Sequence, residues 1–464
     1  MNNDTIVAVA TPSGNGAIAV IRLSGPAALA IANTIFHGKD LTRQASHTTH
    51  FGTIRDGDAV LDEVLVSLFI APRSYTKEDV VEISTHNSTY VIRRLLQLLV
   101  AAGARAAEPG EFTRRAFLNG ALDLSQAEAV ADLIAAENKA SHEIAMNQMR
   151  GGISNQLRHM REQLIEFTAL LELELDFSEE DVEFADRAQF LALLAQVKDH
   201  ITSLITSFEY GNAIKNGVPV AIVGKPNAGK STLLNALLNE ERAIVSDIAG
   251  TTRDTIEEAI NLDGITFRFI DTAGLRETAD QIEAIGVAKA REKAAAAKVL
   301  LYLYDVQNNT ATEVVDHVKE LHREGLIVIL VRNKIDLEKD EAAYQMDANL
   351  KAALFARPYA SHIVPISAKD PASVVALKDV LVEEIRSLST DDQHVITNLR
   401  HVEALRKAEQ AIKETEHGFE MGLPGDLLAS HLRDALRHIG TITGDIDVDR
   451  DILGTIFGKF CIGK

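Results

Sequence analysis

Strand-like patterning characterises the first part of the chain. Within residues 1–87, short apolar or alternating runs occur at 6–10, 17–23, 64–70 and 80–84, and such runs are typical of β-strands. Residues 88–102 have a helical pattern that ends before Gly103. Strands followed by helices in this order predict an α+β domain.

Helical patterns dominate residues 120–216 and return after residue 372. Ser125 and Glu128 have the spacing of a capping box, which predicts that a long helix begins there, and Gly151-Gly152 predicts its break. Further helices are expected over 186–210, 399–417 and 426–439.

Residues 217–370 alternate helical patterns with short apolar runs. The runs at 218–223, 267–270, 299–305, 326–331 and 363–366 are typical of buried parallel strands, and Asp263-Gly264 predicts a hairpin. The sequence therefore predicts a multidomain protein in which a helical domain is interrupted by an inserted α/β domain. The expected domain limits are 1–119, 120–216, 217–371 and 372–464.

Composition excludes several classes of protein. The 464 residues include 47 Lys plus Arg and 67 Asp plus Glu, a net charge of −20, which argues against a protein that coats nucleic acid nonspecifically. Cys461 is the one cysteine, so an internal disulfide and a cysteine metal cage are both excluded. Neither a signal peptide nor a membrane-spanning run is recognisable. We expect a cytoplasmic protein with no membrane partner.

Residues 224–231, GKPNAGKS, match the P-loop pattern G-x-x-x-x-G-K-[ST] between an apolar run and a helical pattern. Backbone N–H groups of such a loop hold phosphates. The Lys230 ammonium neutralises the β- and γ-phosphate oxygens, and the Ser231 hydroxyl binds Mg²⁺. The nucleotide-binding residues expected in this segment are Asn227, Ala228, Gly229, Lys230, Ser231 and Thr232.

Three further motifs follow strand-like runs and indicate a guanine nucleotide. The DTAG motif at 271–274 places Asp271 to reach Mg²⁺ through water. The NKID motif at 333–336 provides the Asp336 carboxylate for guanine N1 and the amino group, and the SAK motif at 367–369 provides backbone for guanine O6. Together with the P-loop they resemble the translation-factor-like GTPase superfamily, which implies a Ras-like α/β fold. The motifs are Asp271-Thr272-Ala273-Gly274, Asn333-Lys334-Ile335-Asp336 and Ser367-Ala368-Lys369.

The hydrolytic machinery departs from that of Ras-like proteins, because Leu275 stands where those proteins carry a glutamine. Residues 250–254, GTTRD, resemble switch I of GTPases that are activated by K⁺ and by dimerisation of their G domains. This resemblance implies that K⁺ lies where an arginine finger would, bound by Asn227, Ser246, Ile248 and Thr251. It also implies that Thr252 binds Mg²⁺, and that the nucleotide is contacted by Ser246, Asp247, Ile248, Ala249, Gly250, Thr251 and Thr252.

Glu283 matches the position of a glutamate that orients the attacking water in that group. From the residues alone it is more typical of a solvated glutamate at a helix start than of a catalytic residue. With the resemblance, the expected catalytic residues are Glu283, Lys230 and Asp271.

The two ends of the chain carry motifs outside the nucleotide site. They include IRLSG at 21–25, YTKEDVVE at 75–82, EPGEFT at 108–113, DLSQAEA at 123–129 and CIGK at 461–464. Together they closely resemble the tRNA uridine-modifying GTPase family MnmE, also called TrmE, essentially from end to end.

The resemblance implies an N-terminal domain that dimerises and binds a tetrahydrofolate derivative in its 5-formyl or methylene form. It implies a heterotetramer with MnmG (GidA), a partner that contributes FAD and NADH. The complex adds an aminomethyl or carboxymethylaminomethyl group at C5 of the tRNA wobble uridine.

Residues matching the folate site of the family are Arg22, Glu82 and Lys464. The position of Ala121 is commonly lysine in the family, so the charge is missing here. Read without the resemblance, Arg22 and Glu82 are ordinary charges on strands, and Cys461 is a small buried hydrophobe. With it, Cys461 becomes a possible reactive thiol at the folate site.

Two alternative functions compete with this interpretation. One is a regulatory GTPase switch in ribosome assembly, which would be expected to carry an RNA-binding module such as KH. The other is a membrane-linked GTPase of ion transport, which the lack of a recognisable membrane helix disfavours.

Overall fold

The computed structural model describes residues 4–12, 14, 16–176, 187–240, 258–270, 291–292, 294–338, 340–355, 359–388 and 395–445. The chain forms two compact units. The first comprises Met1–Ala135, Ala145–Lys198 and Glu403–Lys464, and the second comprises Ala136–Ile144 and Asp199–Val402. The domain limits expected from the sequence stay a prediction.

A seven-stranded sheet organises the N-terminal part of the first unit, with strand order β3-β4-β5-β6-β2-β1-β7. Neighbouring strands are antiparallel except for the parallel pair β1 and β7. The strands are β1 Ile6–Val9, β2 Ile18–Ser24, β3 Phe36–His37, β4 Thr48–Asp56, β5 Ala59–Phe69, β6 Val80–His86 and β7 Arg105–Ala106.

One face of this sheet forms a core with helices α1, Ala28–Ile35, and α2, Thr89–Ala101. Val7, Ile21 and Ile83 are buried there, because alternate residues of a strand point to the same face. The α+β prediction for this region is confirmed by this arrangement.

Strand β4 was not among the predicted runs, and its residues explain why. Its inward positions are His50, Gly52 and Ile54, so only one large apolar side chain marks the buried face. A Cβ at Gly52 would collide with the ring of Phe36, and this close packing excludes any larger residue.

The remaining helices of the first unit come from distant parts of the sequence. The Phe190 ring lies 5.5 Å from Phe167 and 5.8 Å from Phe419, and Lys198 Nζ lies 2.6 Å from Glu416 Oε2. Segments before and after the inserted domain thus pack together. The helices that lie wholly in this unit are α3 Glu111–Leu118, α4 Leu124–Ala135, α6 Gly152–Asp176 and, after the insertion, Gly425–Thr443. Three more, α5 Lys139–Met149, α7 Arg187–Asn216 and Leu399–Glu420, contribute only in part, because residues 139–144, 199–216 and 399–402 belong to the second unit.

The predicted capping box lies two residues further toward the N-terminus than expected. Gln126 N donates to Asp123 Oδ1 at 2.9 Å, and Asp123 N donates to Gln126 Oε1 at 2.9 Å. Asp123 is therefore the cap of α4. Ser125 is instead buried inside the helix, and α4 ends at Ala135 rather than continuing to Gly151.

The second unit contains a six-stranded sheet of order β13-β12-β11-β8-β10-β9. Five strands are parallel, and β9 joins β10 through an antiparallel hairpin at Asp263-Gly264, as predicted. The strands are β8 Val218–Gly224, β9 Glu258–Leu262, β10 Ile265–Phe269, β11 Val299–Tyr304, β12 Ile327–Arg332 and β13 His362–Pro365.

Helices cover both faces of this sheet, and each face has its own apolar core. The strands read as continuous apolar runs because both faces are buried. The helices are α8 Lys230–Glu240, α9 Ala311–Leu321, α10 Asp340–Leu354 and α11 Pro371–Arg386. The predicted class, a helical domain interrupted by a Ras-like α/β domain, is confirmed.

Candidate functional site

The carboxyl edge of the six-stranded sheet brings the P-loop and two of the predicted motifs together. The P-loop connects β8 to α8, and parallel strands place their carboxyl ends at one edge, where ligands of such folds bind. Asn227 and Gly229 both adopt left-handed backbone conformations, with φ of +60° and +99°. These values turn the loop sharply before Lys230 begins the helix.

The Lys230 side chain folds back over its own loop. Its Nζ donates to Gly224 O and Lys225 O, both at 2.8 Å. The ammonium therefore stands beside the N-terminus of α8, where backbone N–H groups and the helix dipole also favour negative charge. Ser231 and Thr232 are exposed on the same first turn, so the P-loop fits a phosphate and its Mg²⁺.

The Asn333 side chain connects its own motif at 333–336 to the P-loop and to the motif at 367–369. Its Nδ2 donates to Ala228 O in the P-loop at 2.7 Å, and its Oδ1 accepts from Ala368 N at 2.9 Å. The side chain is 2% exposed, so these bonds form away from water and are worth more than surface bonds. Asn333 thus fixes the phosphate loop relative to the base-binding loops.

The expected base-binding group is open to solvent. The Asp336 side chain is exposed and accepts a hydrogen bond from Ser367 Oγ at 2.8 Å. The Ser367 backbone is held in turn, since its N–H donates to Ser373 Oγ at 2.9 Å. A carboxylate held in this way still has lone pairs for a donor pair such as guanine N1–H and its amino group. Lys369 is exposed beside this loop.

Asp305, at the end of β11, was not predicted from the sequence. Its Oδ2 accepts from Lys334 Nζ at 2.8 Å, and its Oδ1 accepts from Asn308 N at 2.8 Å. Burial alone would raise its pKa, but the hydrogen bonds from Lys334 and Asn308 hold the pKa below its ordinary value. The signal available in the sequence is an aspartate directly after a fully apolar strand.

A second candidate site lies on the N-terminal sheet. Arg22 and Glu82 are cross-strand partners on β2 and β6, and Arg22 Nε donates to Glu82 Oε1 at 2.8 Å. The Arg22 guanidinium carbon lies 5.6 Å from the Tyr75 ring centre and 5.7 Å from that of Phe112. Both charged side chains remain about a quarter exposed, at 22% and 27%. The structure thus places the two predicted residues together, with the Arg22 guanidinium close to two aromatic rings.

An ion-pair network centred on Glu111 and Arg115 holds together the elements that carry this site. Glu111 is 1% exposed and accepts from Arg105 Nη2 at 2.5 Å and from Arg115 Nη2 at 3.1 Å. Arg115 also binds Asp4 at 2.7 Å and Glu78 at 3.2 Å. The network joins α3, which carries Phe112, to the start of β1 and the turn before β6. Of these charges, Glu78 and Glu111 lie in the motifs identified from the sequence.

Comparison with known proteins covers the chain from end to end. A family model for the N-terminus of the GTP-binding protein TrmE matches residues 5–121, and a model for the MnmE helical domain matches residues 124–461. The chain is 53% identical to the tRNA modification GTPase MnmE of Cytophaga hutchinsonii over 464 residues, which are 100% of this chain and 98% of the relative. Identity to the protein of the same name from Bacteroides thetaiotaomicron is 48%, with 100% of both chains covered.

The chain belongs to the MnmE family. It is a GTP hydrolase, since the nucleotide site described above accompanies family membership over the whole length. Among solved structures, the G domain of the Thermotoga maritima FeoB iron transporter matches 37% of this chain and 99% of its own, with 25% identity and a TM-score of 0.25.

Several predicted residues of this MnmE-family chain lie outside the described residues. They belong to switch I, to the DTAG motif and the segment after it, and to the C-terminal tail. They are Ser246, Asp247, Ile248, Ala249, Gly250, Thr251, Thr252, Asp271, Thr272, Ala273, Gly274, Glu283, Cys461 and Lys464. In the parts of the chain that the structure does describe, no helix is long and apolar enough to cross a membrane.

Proposed function

We propose that this GTPase acts in modification of the wobble uridine of tRNA, together with MnmG, by using a tetrahydrofolate one-carbon unit. The observation that carries the proposal is the combination in one chain of two built sites. Asn333 assembles a guanine-nucleotide site, and Arg22 and Glu82 form a second polar site in a domain that matches the TrmE N-terminus. Relatives that align with the whole of this chain are named tRNA modification GTPases.

Hydrolysis is assigned to the carboxyl edge of the six-stranded sheet. Lys230 and the P-loop backbone bind the β- and γ-phosphates of GTP, and Ser231, with Thr252 and Asp271, holds Mg²⁺. Asp336 selects guanine. Positioning and charge stabilisation of this kind supply most of the catalysis in phosphoryl transfer.

Potassium is proposed as the activating cation, with Asn227, Ser246, Ile248 and Thr251 as its ligands. Asn227 supports this role because it is exposed and its left-handed backbone holds it at the apex of the P-loop. A bound monovalent cation there supplies fixed positive charge beside the phosphates. Glu283 orients the attacking water.

The test of the cation and of Glu283 is the rate of GTP hydrolysis in KCl and in NaCl at equal ionic strength. We expect faster turnover in KCl, and we expect Glu283→Ala to bind GTP normally but to lose the KCl-dependent rate. Equal rates in the two salts would contradict the role of K⁺, and full turnover by Glu283→Ala would remove that residue from the mechanism.

The Arg22–Glu82 site is proposed to bind the folate, with Lys464 of the C-terminal tail. Its groups fit a pterin, because Glu82 can accept from the pterin amino and ring N–H groups and the rings of Tyr75 and Phe112 offer apolar surface. Burial raises the pKa of Tyr75, whose hydroxyl lies 2.9 Å from Thr113 Oγ1, so it stays a neutral hydrogen-bonding group. Folate supplies the one-carbon unit. Cys461 is proposed to lie close to this site.

A homodimer through the N-terminal domain is proposed from the same sheet face. Phe51 and Leu65 are cross-strand partners that are 66% and 47% exposed. The strand registers place both on the face that carries Arg22 and Glu82. An exposed apolar pair beside a polar site is the composition expected of an interface with a second copy. Phe51→Glu should shift sedimentation toward the monomer, whereas Tyr344→Glu, at a residue 79% exposed in the second unit, should not.

The tRNA itself provides the test of the overall function. We expect total tRNA from cells lacking the gene to lose the C5-aminomethyl-type wobble uridines when its nucleosides are measured by mass spectrometry. An unchanged nucleoside profile would contradict the proposal and leave ribosome assembly as the leading alternative. Binding to MnmG, with its FAD and NADH, and location in the cytoplasm are parts of the same proposal.

A further inference from the structure

Lys77 has an unusual backbone conformation in the turn that precedes β6. Its φ is +56°, in the left-handed region that side chains other than glycine, asparagine and aspartate seldom adopt. Its residue is exposed. This backbone conformation would suit glycine, so a lysine at this position is unusual.

The Lys77 ammonium contacts the loop that follows α3. Its Nζ donates to Gly120 O at 2.5 Å, and in the adjacent residues Asn119 Nδ2 donates to Thr76 O at 2.7 Å. These two bonds fasten the turn at 75–77 to the loop at 119–120. The Lys77 charge is therefore held directly beside Ala121, a position that carries no charge of its own.

The same turn and the same helix enclose the Arg22–Glu82 site. Tyr75 lies two residues before Lys77 and Phe112 lies on α3, and their rings flank the Arg22 guanidinium. The short turn at 75–77 thus carries both an aromatic side chain of the Arg22–Glu82 site and the Lys77 ammonium. An ammonium has three N–H donors, and the Gly120 carbonyl uses one of them.

We propose that Lys77 binds a carboxylate of the glutamate tail of the folate and so supplies the positive charge that Ala121 lacks. This inference rests on the proposed folate site. Glu82 serves the N–H groups of the pterin, and the exposed Lys77 ammonium serves the anionic end, because ammonium–carboxylate hydrogen bonds are among the strongest available to a lysine. The ligand class is a reduced folate with a free carboxylate.

The test is a binding titration with 5-formyltetrahydrofolate and with a tetrahydropterin that lacks the tail, on the full-length protein. Lys77→Gln removes the charge with a similar chain length, and Lys77→Arg keeps the charge. We expect Lys77→Gln to bind the folate about tenfold more weakly and to bind the tail-less pterin as the wild type does. Lys77→Arg should retain most of the affinity for the folate.

The double variant Lys77→Gly with Ala121→Lys removes the ammonium from position 77 and places one at position 121, beside the same Lys77–Gly120 contact. Glycine accepts the backbone conformation at position 77, and the double variant should recover folate affinity that Lys77→Gly alone loses. Thermal unfolding of each variant shows whether the fold is kept, since Lys77 also donates to Gly120 O in the loop that follows α3, where a cation is favourable near the helix C-terminus.

The possible results separate this inference from the function on which it rests. Folate binding by the wild type that Lys77→Gln leaves unchanged would overturn the role of Lys77 and leave the folate site standing. An equal loss for the folate and the tail-less pterin would overturn the assignment to the carboxylate. Failure of the wild type to bind any folate would overturn the proposed folate site itself.

Discussion

The nucleotide site and the Arg22–Glu82 site differ in the chemical groups that form them. The nucleotide site consists mainly of backbone, with left-handed residues in the P-loop and carbonyl and N–H groups held by one buried amide, Asn333. The Arg22–Glu82 site consists of side chains from two strands, a turn and a helix, resting on buried ion pairs.

This difference predicts which kinds of substitution damage each site. A site made of backbone is damaged by substitutions that add atoms or change φ, whereas a site made of charged side chains is damaged by loss of charge.

Gly229→Ala should have the largest effect. The residue has a φ of +99°, and an added Cβ would collide with Asn333 Nδ2. Left-handed strain and displacement of Asn333 together cost about 3 kcal/mol, so GTP affinity should fall at least about 100-fold. The measurement is equilibrium binding of a fluorescent GTP analogue. Gly325→Ala is the matched control, because Gly325 has a φ of +77° with open space around it, and equal losses in both variants would contradict the account.

Asn333→Ala should weaken binding of both GTP and GDP. It removes hydrogen bonds of 2.7 and 2.9 Å to the P-loop and to Ala368, and loss of such a buried pair costs about 2 kcal/mol, or about 30-fold in affinity. Calorimetric titration of both nucleotides measures this. Asn349→Ala, on the exposed surface of α10, should bind normally. Normal affinity in Asn333→Ala would show that the loops hold their positions without it.

Glu111→Gln should destabilise the N-terminal domain by about 2 kcal/mol, because it leaves Arg105 and Arg115 short of a buried negative partner. GTP affinity should not change. Thermal unfolding measures the effect, and Glu108→Gln, whose side chain is 60% exposed in its ion pair, is the control.

The same carboxylate predicts a pH dependence. Burial would raise the pKa of Glu111, but hydrogen bonds from Arg105, Glu108 N and Arg115 hold it below the ordinary value of 4.5. A lowered folded pKa means that the stabilisation is complete above about pH 4.5 and is lost as the pH falls through the folded value. The difference in stability between wild type and Glu111→Gln should therefore shrink below that pH. A difference that stays constant into acid would contradict the charged role of Glu111.

Asp305→Asn should have the smallest effect on nucleotide binding, about tenfold, because it loosens Lys334 beside the base-binding motif but keeps a hydrogen-bonding side chain. The ratio of GTP to ITP affinity should stay the same, since the residue proposed to contact the amino group that ITP lacks is Asp336 and not Lys334. Competition binding with the two nucleotides checks this. A changed ratio would mean that Asp305 also positions Asp336.

The sequence could predict that the P-loop and the motifs at 333–336 and 367–369 follow strands, because each motif is contiguous and comes directly after a buried apolar run. It could not predict the hydrogen bonds made by Asn333 or the ion pair between Asp305 and Lys334, since both join loops that follow different strands. The pairing of Arg22 with Glu82 was reachable only through family resemblance. Nothing local indicates that residues 60 positions apart are neighbours across a sheet.

Strand β4 and the cap of α4 show the same limit on a smaller scale. Gly52 replaces an apolar residue where Phe36 fills the space, so the alternation that reveals a strand is absent. At α4, both Asp123 and Ser125 stand three residues before a Gln or Glu. The choice of Asp123 depends on burial of Ser125, which is a tertiary effect.

A complementation experiment in cells asks whether the nucleotide site and the Arg22–Glu82 site serve one task. Cells lacking the gene would receive the wild type, Asn333→Ala or Arg22→Ala with Glu82→Ala, and the nucleosides of their total tRNA would be measured by mass spectrometry. We predict that only the wild type restores the C5-aminomethyl-type wobble uridines, although the Arg22 and Glu82 variant still hydrolyses GTP. Full restoration by a variant with either site disabled, at wild-type protein levels, would contradict the claim that GTP hydrolysis and the N-terminal site act together in tRNA modification.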